Sequence, residues 1–299
     1  MFRKTLLALA AGVCLALSGC AGLPRERARE LVVASWNLEH LAEQDGLGCK
    51  PRVEADYAIL RRYADRLDAD VIAFQEVESA AAAARVFPPD RYVVVMSKRP
   101  DSARGGNCRG APGQQIRKQD VGFALRKGLT IRRNRDMKSL GLGDPDLRWG
   151  VDITIQGRRP LRLLNVHLKS GCSAGASAEA CAALLRQSPV VERWIDERTR
   201  SGEAAIILGD FNRRLALPGD LLWRDWDDGR PRGSVLSLAG QGLTAKCDPR
   251  YRDFIDHLVL NRLAGLHLRP GSFRELPYDA GDSPRPSDHC PVSVRLKRF

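Results

Sequence analysis

Six short apolar runs in this chain each meet polar residues at one end, and the direction in which they do so restricts the fold more than any other feature. Leu31–Ser35 leads into Trp36-Asn37, Val71–Phe74 into Gln75-Glu76, Leu161–Leu164 into Asn165-Val166-His167, and Ala204–Leu208 into Gly209-Asp210-Phe211-Asn212. Nearer the C-terminus the order reverses: Asp256-His257 precedes Leu258–Leu260, and Ser287-Asp288-His289 precedes Pro291–Val294. Apolar runs of this length read as buried strands. If the last two run antiparallel to the first four, every polar group arrives at one edge of the sheet structure. Carboxylates, amides and imidazoles gathered in that way suit a hard divalent cation and a proton-transfer pair.

The N-terminus is set aside before folding is considered. Arg3-Lys4 is a basic start, Leu6–Leu17 an apolar core, and Leu17-Ser18-Gly19-Cys20 a small-residue cleavage site ending in cysteine. It has the form of an export signal, and its apolar stretch is short for a spanning helix. The tetrapeptide resembles the lipobox of bacterial lipoproteins, which implies removal of residues 1–19 and lipidation of Cys20. Ala21 in place of an aspartate resembles the outer-membrane sorting pattern. Residues 20–30 are then a tether, and 31–299 a single domain anchored outside the cytoplasm, at the periplasmic or outer surface. The formal charge of +12 attracts phosphate polyanions to the surface.

Of the eight cysteines, Cys14 lies in the leader and Cys20 at the lipid site, leaving an even number in an exported protein. That count favours disulfides. Cys172 and Cys181 close a small loop after His167, Cys49 and Cys108 lie in two polar insertions, and Cys247 with Cys290 flanks Asp256 and His289. A zinc site is the competing use of cysteine, but close pairs with finger-like spacing are lacking.

Between these landmarks the pattern predicts helices at Val53–Leu67 (apolar face Ala55, Ile59, Leu60, Tyr63, Leu67), Ser79–Val86 and Ala178–Arg200. Further strands are expected at Tyr92–Met96, Val121–Arg126, Thr130–Arg133, Gly150–Ile155 and Gly265–Arg269, with Gly157-Arg158 turning a hairpin. Ser97–Gln119 reads as a polar surface loop and Asp220–Leu238 as irregular. The order of elements implies α/β architecture with two mixed sheets face to face and helices outside.

The six polar clusters, taken in order, resemble the motifs of the endonuclease/exonuclease/phosphatase superfamily, in its deoxyribonuclease I-like form, across residues 31–296. The resemblance implies a four-layered α/β sandwich and hydrolysis of phosphate esters with Mg2+ or Mn2+. It implies that Glu76 is the principal metal ligand, with Asn37 and Asp288 completing or orienting that shell. It makes His289 the general base, with Asp256 fixing its tautomer. His167 would contact the scissile phosphate or the leaving oxygen, and Asp210 with Asn212 would place the nucleophile and stabilise charge. His167 resembles a histidine of the deoxyribonuclease-like branch that abasic-site endonucleases lack, which points away from the latter. Arg148, Lys169, Arg213 and Arg214 are candidates to neutralise substrate phosphates, and Trp223 and Trp226 to stack on bases or to fill the core. His257 should face away from the site as a packed histidine, and His40 and His267 are read as surface or structural.

The substrate these features favour is nucleic acid, cleaved by an extracytoplasmic endonuclease attached to a membrane through Cys20, with no obligate protein partner. A sphingomyelinase-like phospholipid phosphodiesterase is the second enzyme reading, although no apolar hairpin for bilayer entry is evident. An inositol-phosphate phosphatase follows. From another class, a catalytically dead surface-binding module would show a broken motif, and none is broken.

Overall fold

The computed structural model describes residues 30–101, 106–172 and 178–298. The leader, Cys20 and the tether up to residue 29 lie outside the described residues. In chain order the elements are β1 (Glu30–Leu41), α1 (Glu54–Leu67), β2 (Val71–Val77), α2 (Ala80–Ala84), β3 (Tyr92–Met96), β4 (Asp120–Arg126), β5 (Ile131–Arg133), β6 (Val151–Ile155) and β7 (Leu161–His167). They continue as α3 (Ala178–Ser201), β8 (Ala204–Asp210), α4 (Leu221–Trp226), β9 (Leu236–Leu238), β10 (Asp256–Asn261), α5 (Arg262–Gly265), β11 (Arg274–Glu275) and β12 (Val292–Lys297). Two six-stranded sheets form, ordered β11-β12-β1-β2-β4-β3 and β5-β6-β7-β8-β10-β9.

Strand periodicity produces the layers. Leu31 and Val33 of β1 face one way, into a core shared with Ile206, Leu208 and Leu258 of the other sheet. Ala34 and Trp36 face the opposite way, onto Tyr57 and Leu60 of α1. The outer face of the second sheet is covered by α3 and α4 through Leu184, Trp194, Leu222 and Trp226. Helix, sheet, sheet and helix make the four expected layers, each bounded by a continuous apolar core.

The directions are those the polar clusters required. β1 runs parallel to β2 and antiparallel to β12, with Asn37 opposite Gln75 and Val33 opposite Val294. β7 runs parallel to β8 and β10 antiparallel to it, so that His167 and Asp256 both lie opposite Asp210. The two sheets are joined beneath this edge. Gln75 donates from Nε2 to Asn165 Oδ1 at 2.8 Å, and Asn165 Nδ2 donates to the carbonyls of Phe74 (2.9 Å) and Gly122 (2.6 Å), all buried. Satisfied buried amides of this kind fix the relative position of the layers, because breaking one leaves polar groups unpaired.

Several local expectations are corrected. The buried face of α1 is Tyr57, Leu60, Tyr63 and Ala64; the two tyrosine rings take the inner face and Ala55 turns to solvent. Residues 220–238 are irregular only between 227 and 235: Asp220 caps α4 by accepting from Trp223 N at 3.0 Å, and β9 extends the second sheet. Residues 265–269 do not form a strand, because Asn261 accepts from Ala264 N at 3.0 Å and turns the chain into α5; Leu268 keeps only a single bridge to Leu296. Within the 97–119 segment Arg99 is not at the surface, its guanidinium being buried against Asp120 at 2.8 Å.

Candidate active site

Cys247 is bonded to Cys290, Cys172 to Cys181 and Cys49 to Cys108. With these bonds formed, Cys247 and Cys290 offer no thiolate to a metal, although Glu275 lies beside them. The Cys247–Cys290 bond ties the segment before β10 to the turn that carries His289.

That turn is held from several sides. Ser287 Oγ donates to the Asn37 carbonyl at 2.8 Å and accepts from His289 N at 3.1 Å. Tyr278 Oη donates to the His289 carbonyl at 2.6 Å while accepting from Trp36 Nε1 at 2.9 Å. Buried Arg52 donates to the carbonyls of Leu38 and Pro286 at 2.9 and 2.8 Å. With its backbone fixed, His289 has one free choice, the orientation of its ring. Asp256 settles that, because Nδ1 lies 2.6 Å from Asp256 Oδ2. A carboxylate accepts, so Nδ1 carries the proton in the neutral ring and Nε2 holds the lone pair. Nε2 faces Asp210 Oδ2 at 3.8 Å and Asp288 Oδ1 at 3.9 Å, beyond hydrogen-bonding range. Burial opposes a charge on this ring, but the carboxylates of Asp256, Asp210 and Asp288 outweigh it and raise the imidazole pKa well above its ordinary value.

Glu76 stands where β2 leaves its ladder. The register shifts between Phe74 and Val77, and Glu76 takes a left-handed φ of 60°. Glu39 (43°), His40 (52°) and Asn212 (50°) share that conformation, which costs a residue with a Cβ roughly 1–2 kcal/mol. Of the six described non-glycine residues at positive φ, four lie here, as expected where backbone is bent to aim side chains. The Glu76 carboxylate accepts from Asn37 Nδ2 (3.2 Å), His40 N (3.1 Å) and Gln119 Nε2 (2.9 Å). Burial pushes its pKa up, but attraction to His167, Arg148 and His40 and the Asn37 hydrogen bond prevail and hold it at about 2. Glu76 is therefore ionised at any working pH.

Asn37 links the two halves of the site. Its Nδ2 also donates to Asp210 Oδ2 at 3.0 Å, and its Oδ1 is taken by Glu39 N at 2.9 Å. In this arrangement Asn37 orients two carboxylates as a donor. Asp210 Oδ1 accepts from Asn212 N at 2.8 Å, while Asn212 Nδ2 donates to the Leu168 carbonyl at 3.1 Å. Burial raises the Asp210 pKa. His167 is sealed beneath, its side chain 2 % exposed and Nε2 lying 3.5 Å from Asp210 Oδ2 and 3.8 Å from Glu76 Oε1. Burial, reinforced by Arg148, pushes its pKa well below the ordinary value. Asp288 is 61 % exposed at the rim, its backbone N–H donating to Glu39 Oε2 at 2.8 Å.

Asn37, Glu76, His167, Asp210, Asn212, Asp256, Asp288 and His289 thus gather at one edge. Of the candidate cations, only Arg148 reaches them, donating to Gln119 Oε1 while Gln119 Nε2 holds Glu76. Arg213 is paired with Asp220, Arg214 lies 3.6 Å from Asp253, and Lys169 Nζ turns to the Ser170 carbonyl at 3.2 Å. Trp226 is buried and donates to the Ser188 carbonyl, and Trp223 packs on the same core. His267 Nδ1 lies 3.3 Å from the Lys297 carbonyl, far from the site. Two participants were missed. His40, read as structural, gives its N–H to Glu76, with its ring Nε2 3.8 Å from the carboxylate. Gln119 falls in the polar, glycine-rich stretch whose composition predicts a surface loop. The one signal available was its place just before an apolar strand, like the other polar residues of this edge.

His257 faces away, as alternation requires, with Nε2 2.8 Å from the Arg213 carbonyl and its ring edge-on to Phe211. Burial depresses its pKa to about 4. A histidine lowered in the folded state stabilises it only above the unfolded value of about 6.5. That contribution, about 3 kcal/mol, fades as pH falls from there towards 4. His257→Phe should flatten the fall in melting temperature across this window; an unchanged slope would assign the acid lability to other groups.

Gly209 precedes Asp210 with φ at 143°, and a Cβ there would stand 1.9 Å from the Val166 carbonyl oxygen. That oxygen is backbone in the neighbouring strand and cannot swing aside. Gly209→Ala should cost about 3 kcal/mol or more in urea denaturation; wild-type stability would show that the strands can part cheaply.

The donor set fits a hard cation. Glu76, Asp210, Asp256 and Asp288 offer carboxylate oxygens, and the ligand atoms of Asp210, Asp256 and His289 lie within 4.8 Å of one another. Asp256 Oδ1 is buried without a hydrogen-bond partner. Oxygen donors with little nitrogen and no thiolate match Mg2+ or Mn2+.

Solved structures share this fold. A truncated Caenorhabditis elegans TDP2 matches with a TM-score of 0.60 at 16% identity, covering 90% of this chain and 98% of that one. The AP endonuclease LMAP from Leishmania major gives 0.63 at 14%, covering 91% and 89%. The Neisseria 3' phosphatase NExo, bound to a product DNA hairpin, gives 0.57 at 17%, covering 89% and 99%. No curated protein sequence matches. The family model described as "Endonuclease/Exonuclease/phosphatase family" matches residues 34–289, nearly the whole described domain and every cluster assembled above, and the chain belongs to that family.

Proposed function

We propose that this chain is a metal-dependent phosphodiesterase, an extracytoplasmic endonuclease acting on DNA or RNA and held to a bacterial membrane by a lipid on Cys20. The observation that carries the chemistry is the His289–Asp256 dyad, with Nε2 facing Asp210 beside an ionised Glu76. Glu76 would hold Mg2+ or Mn2+, assisted by Asp288 and oriented by Asn37. Such an ion, when bound, polarises a phosphate oxygen and offsets charge growing on it.

The protein's own groups do the rest. His289 Nε2 takes the proton of the attacking water, and Asp256 stabilises the imidazolium that results. Asp210, a hydrogen-bond acceptor at 3.8 Å from Nε2, orients that water. His167 and the Asn212 amide lie where charge on the phosphate and the leaving oxygen would be stabilised. Arg148, braced through Gln119, neutralises a substrate phosphate.

Nucleic acid as substrate is supported by the charge of +12. It is consistent with relatives of the same fold crystallised with DNA, the Neisseria 3' phosphatase and a Danio rerio TDP2 complexed with single-strand DNA product. The test is incubation of the purified protein with plasmid DNA, RNA, sphingomyelin and inositol phosphates, each with Mg2+, Mn2+ or EDTA. Nicking of plasmid or cleavage of RNA that EDTA abolishes is the expected result. Hydrolysis of sphingomyelin alone, or of inositol phosphates alone, would replace nuclease with one of those activities, and binding without turnover would make the chain a surface-binding module. Membrane fractionation of wild type and Cys20→Ser checks the anchor, which should be lost in the variant.

A further inference from the structure

The end of the domain opposite the site carries a second surface. β1 begins there, β4 and β12 end there (Glu30 opposite Lys297, Val71 opposite Leu125), and in the other sheet the β6–β7 turn and the end of β10 lie at the same end. The described acids of this pole are largely consumed. Glu30 pairs with Arg269 and Arg295, Asp68 and Asp70 with Arg126, Asp65 with Arg91, and Glu203 with Arg198, leaving Asp90 without an ion pair. The cations are in excess. Lys127, Arg158, Arg159, Arg262 and Lys297 are exposed and their charged ends have no partner among the described residues, while Arg298 reaches only the Glu30 carbonyl. They occupy four places, Lys127 after β4, Arg158 and Arg159 on the β6–β7 turn, Arg262 after β10, and Lys297 with Arg298 at the end of β12, so they spread over the pole rather than along one element. Between Arg262 and Arg269, Leu266 is 65 % exposed.

We propose that this pole is a docking face for an anionic lipid surface, which it meets with the active site turned away. Two observations select lipid over other polyanions. The described chain begins at Glu30, on this pole, so a membrane that the N-terminal segment reaches is met from this end of the domain. Nucleic acid held here would lie on the far side of the domain from His289 and could not be cleaved while bound. A broad, unpaired cationic face with an exposed leucine beside Arg262 matches anionic headgroups over an apolar interior. The inference does not depend on the catalytic reading; its choice of lipid rests on the proposed membrane targeting of the N-terminal segment.

The experiment is vesicle flotation with the unacylated chain from Ala21, which keeps every described element, using phosphatidylcholine vesicles with and without phosphatidylglycerol. Binding should require phosphatidylglycerol and disappear at high salt. Reversal of Lys127, Arg158, Arg159, Arg262 and Lys297 to glutamate should weaken binding about a thousandfold or more, at roughly fivefold or more per position. The pair Lys127→Glu/Lys297→Glu should show a proportionate loss if the larger set impairs folding. Reversing the exposed Arg186, Arg193, Arg224, Arg230 and Arg232 of the helical side changes net charge equally and should leave most binding intact. All variants should hydrolyse a small soluble phosphodiester as the unsubstituted chain does. Equal losses in both sets would reduce the effect to net charge and overturn the proposal. So would retention of vesicle binding by the pole variants, or loss from them of DNA binding with vesicle binding unchanged. Failure of the catalytic reading would appear separately, as absence of hydrolysis in every variant.

Discussion

His289→Ala should lower turnover by about 10³–10⁴-fold, the range seen when a positioned general base or its partner is removed. The turn that carries it is held by Ser287, Tyr278, Arg52 and a disulfide, so the loss should come without unfolding. Asp256→Asn separates positioning from mere packing. It preserves shape but removes the charge that raises the His289 pKa, so the acidic limb of the kcat/KM profile should move to lower pH as the rate falls. Stability carries its own sign. A histidine whose folded pKa is raised adds stability that is fully present below its unfolded value and is lost as pH rises through the raised one. Both variants should therefore lose more stability near pH 6 than near pH 9, by thermal melts at each pH. Near-wild-type turnover in His289→Ala would remove the base assignment altogether.

The sheet structure was legible because buried parallel strands need continuous branched apolar runs, and in this chain each such run meets a cluster of carboxylate, amide or imidazole residues at one end. β3 and β7 have the expected limits, and the strand directions follow from which end of a run is polar. What was not legible depends on backbone conformation that no side-chain pattern encodes. His40 and Glu76 meet because both strands abandon regular register and carry left-handed residues there. A Glu or His at such a position looks like any other in sequence. Gln119 was hidden by its polar, glycine-rich surroundings, and α4 and α5 depend on single capping side chains, Asp220 and Asn261. The candidate cations failed most often, since an arginine's reach lets it pair with whichever carboxylate is near. Asp220 claims Arg213, and only Arg148 remains directed at the site.

Glu76→Gln tests the other half of the site and should have the largest effect on cation binding. The glutamine keeps the size of the side chain and one acceptor oxygen, but not the negative charge that its surroundings stabilise down to about pH 2. Isothermal titration of Mn2+ without substrate should show affinity reduced by well over tenfold, since loss even of a group that merely supports a ligand costs about 10–100-fold. Turnover should fall with it. A second variant guards against misreading a folding defect. The depressed pKa means that Glu76 contributes stability above the unfolded value of about 4.5, about 3 kcal/mol, which is lost as pH falls towards 2. Removing the side chain therefore also removes favourable contacts with Asn37, His40 and Gln119. Glu76→Gly gives up the same contacts as Glu76→Ala but relieves the left-handed φ, so it should melt higher than the alanine variant while being equally inactive. If the glycine form regained stability and also bound Mn2+ as wild type does, Glu76 would be a strained structural residue, and the cation would belong to Asp210, Asp256 and His289 instead. In that case His289→Ala would abolish Mn2+ binding as well as turnover, whereas a pure general base leaves binding nearly intact. The two substitutions together decide which carboxylates hold the ion and which ring moves the proton.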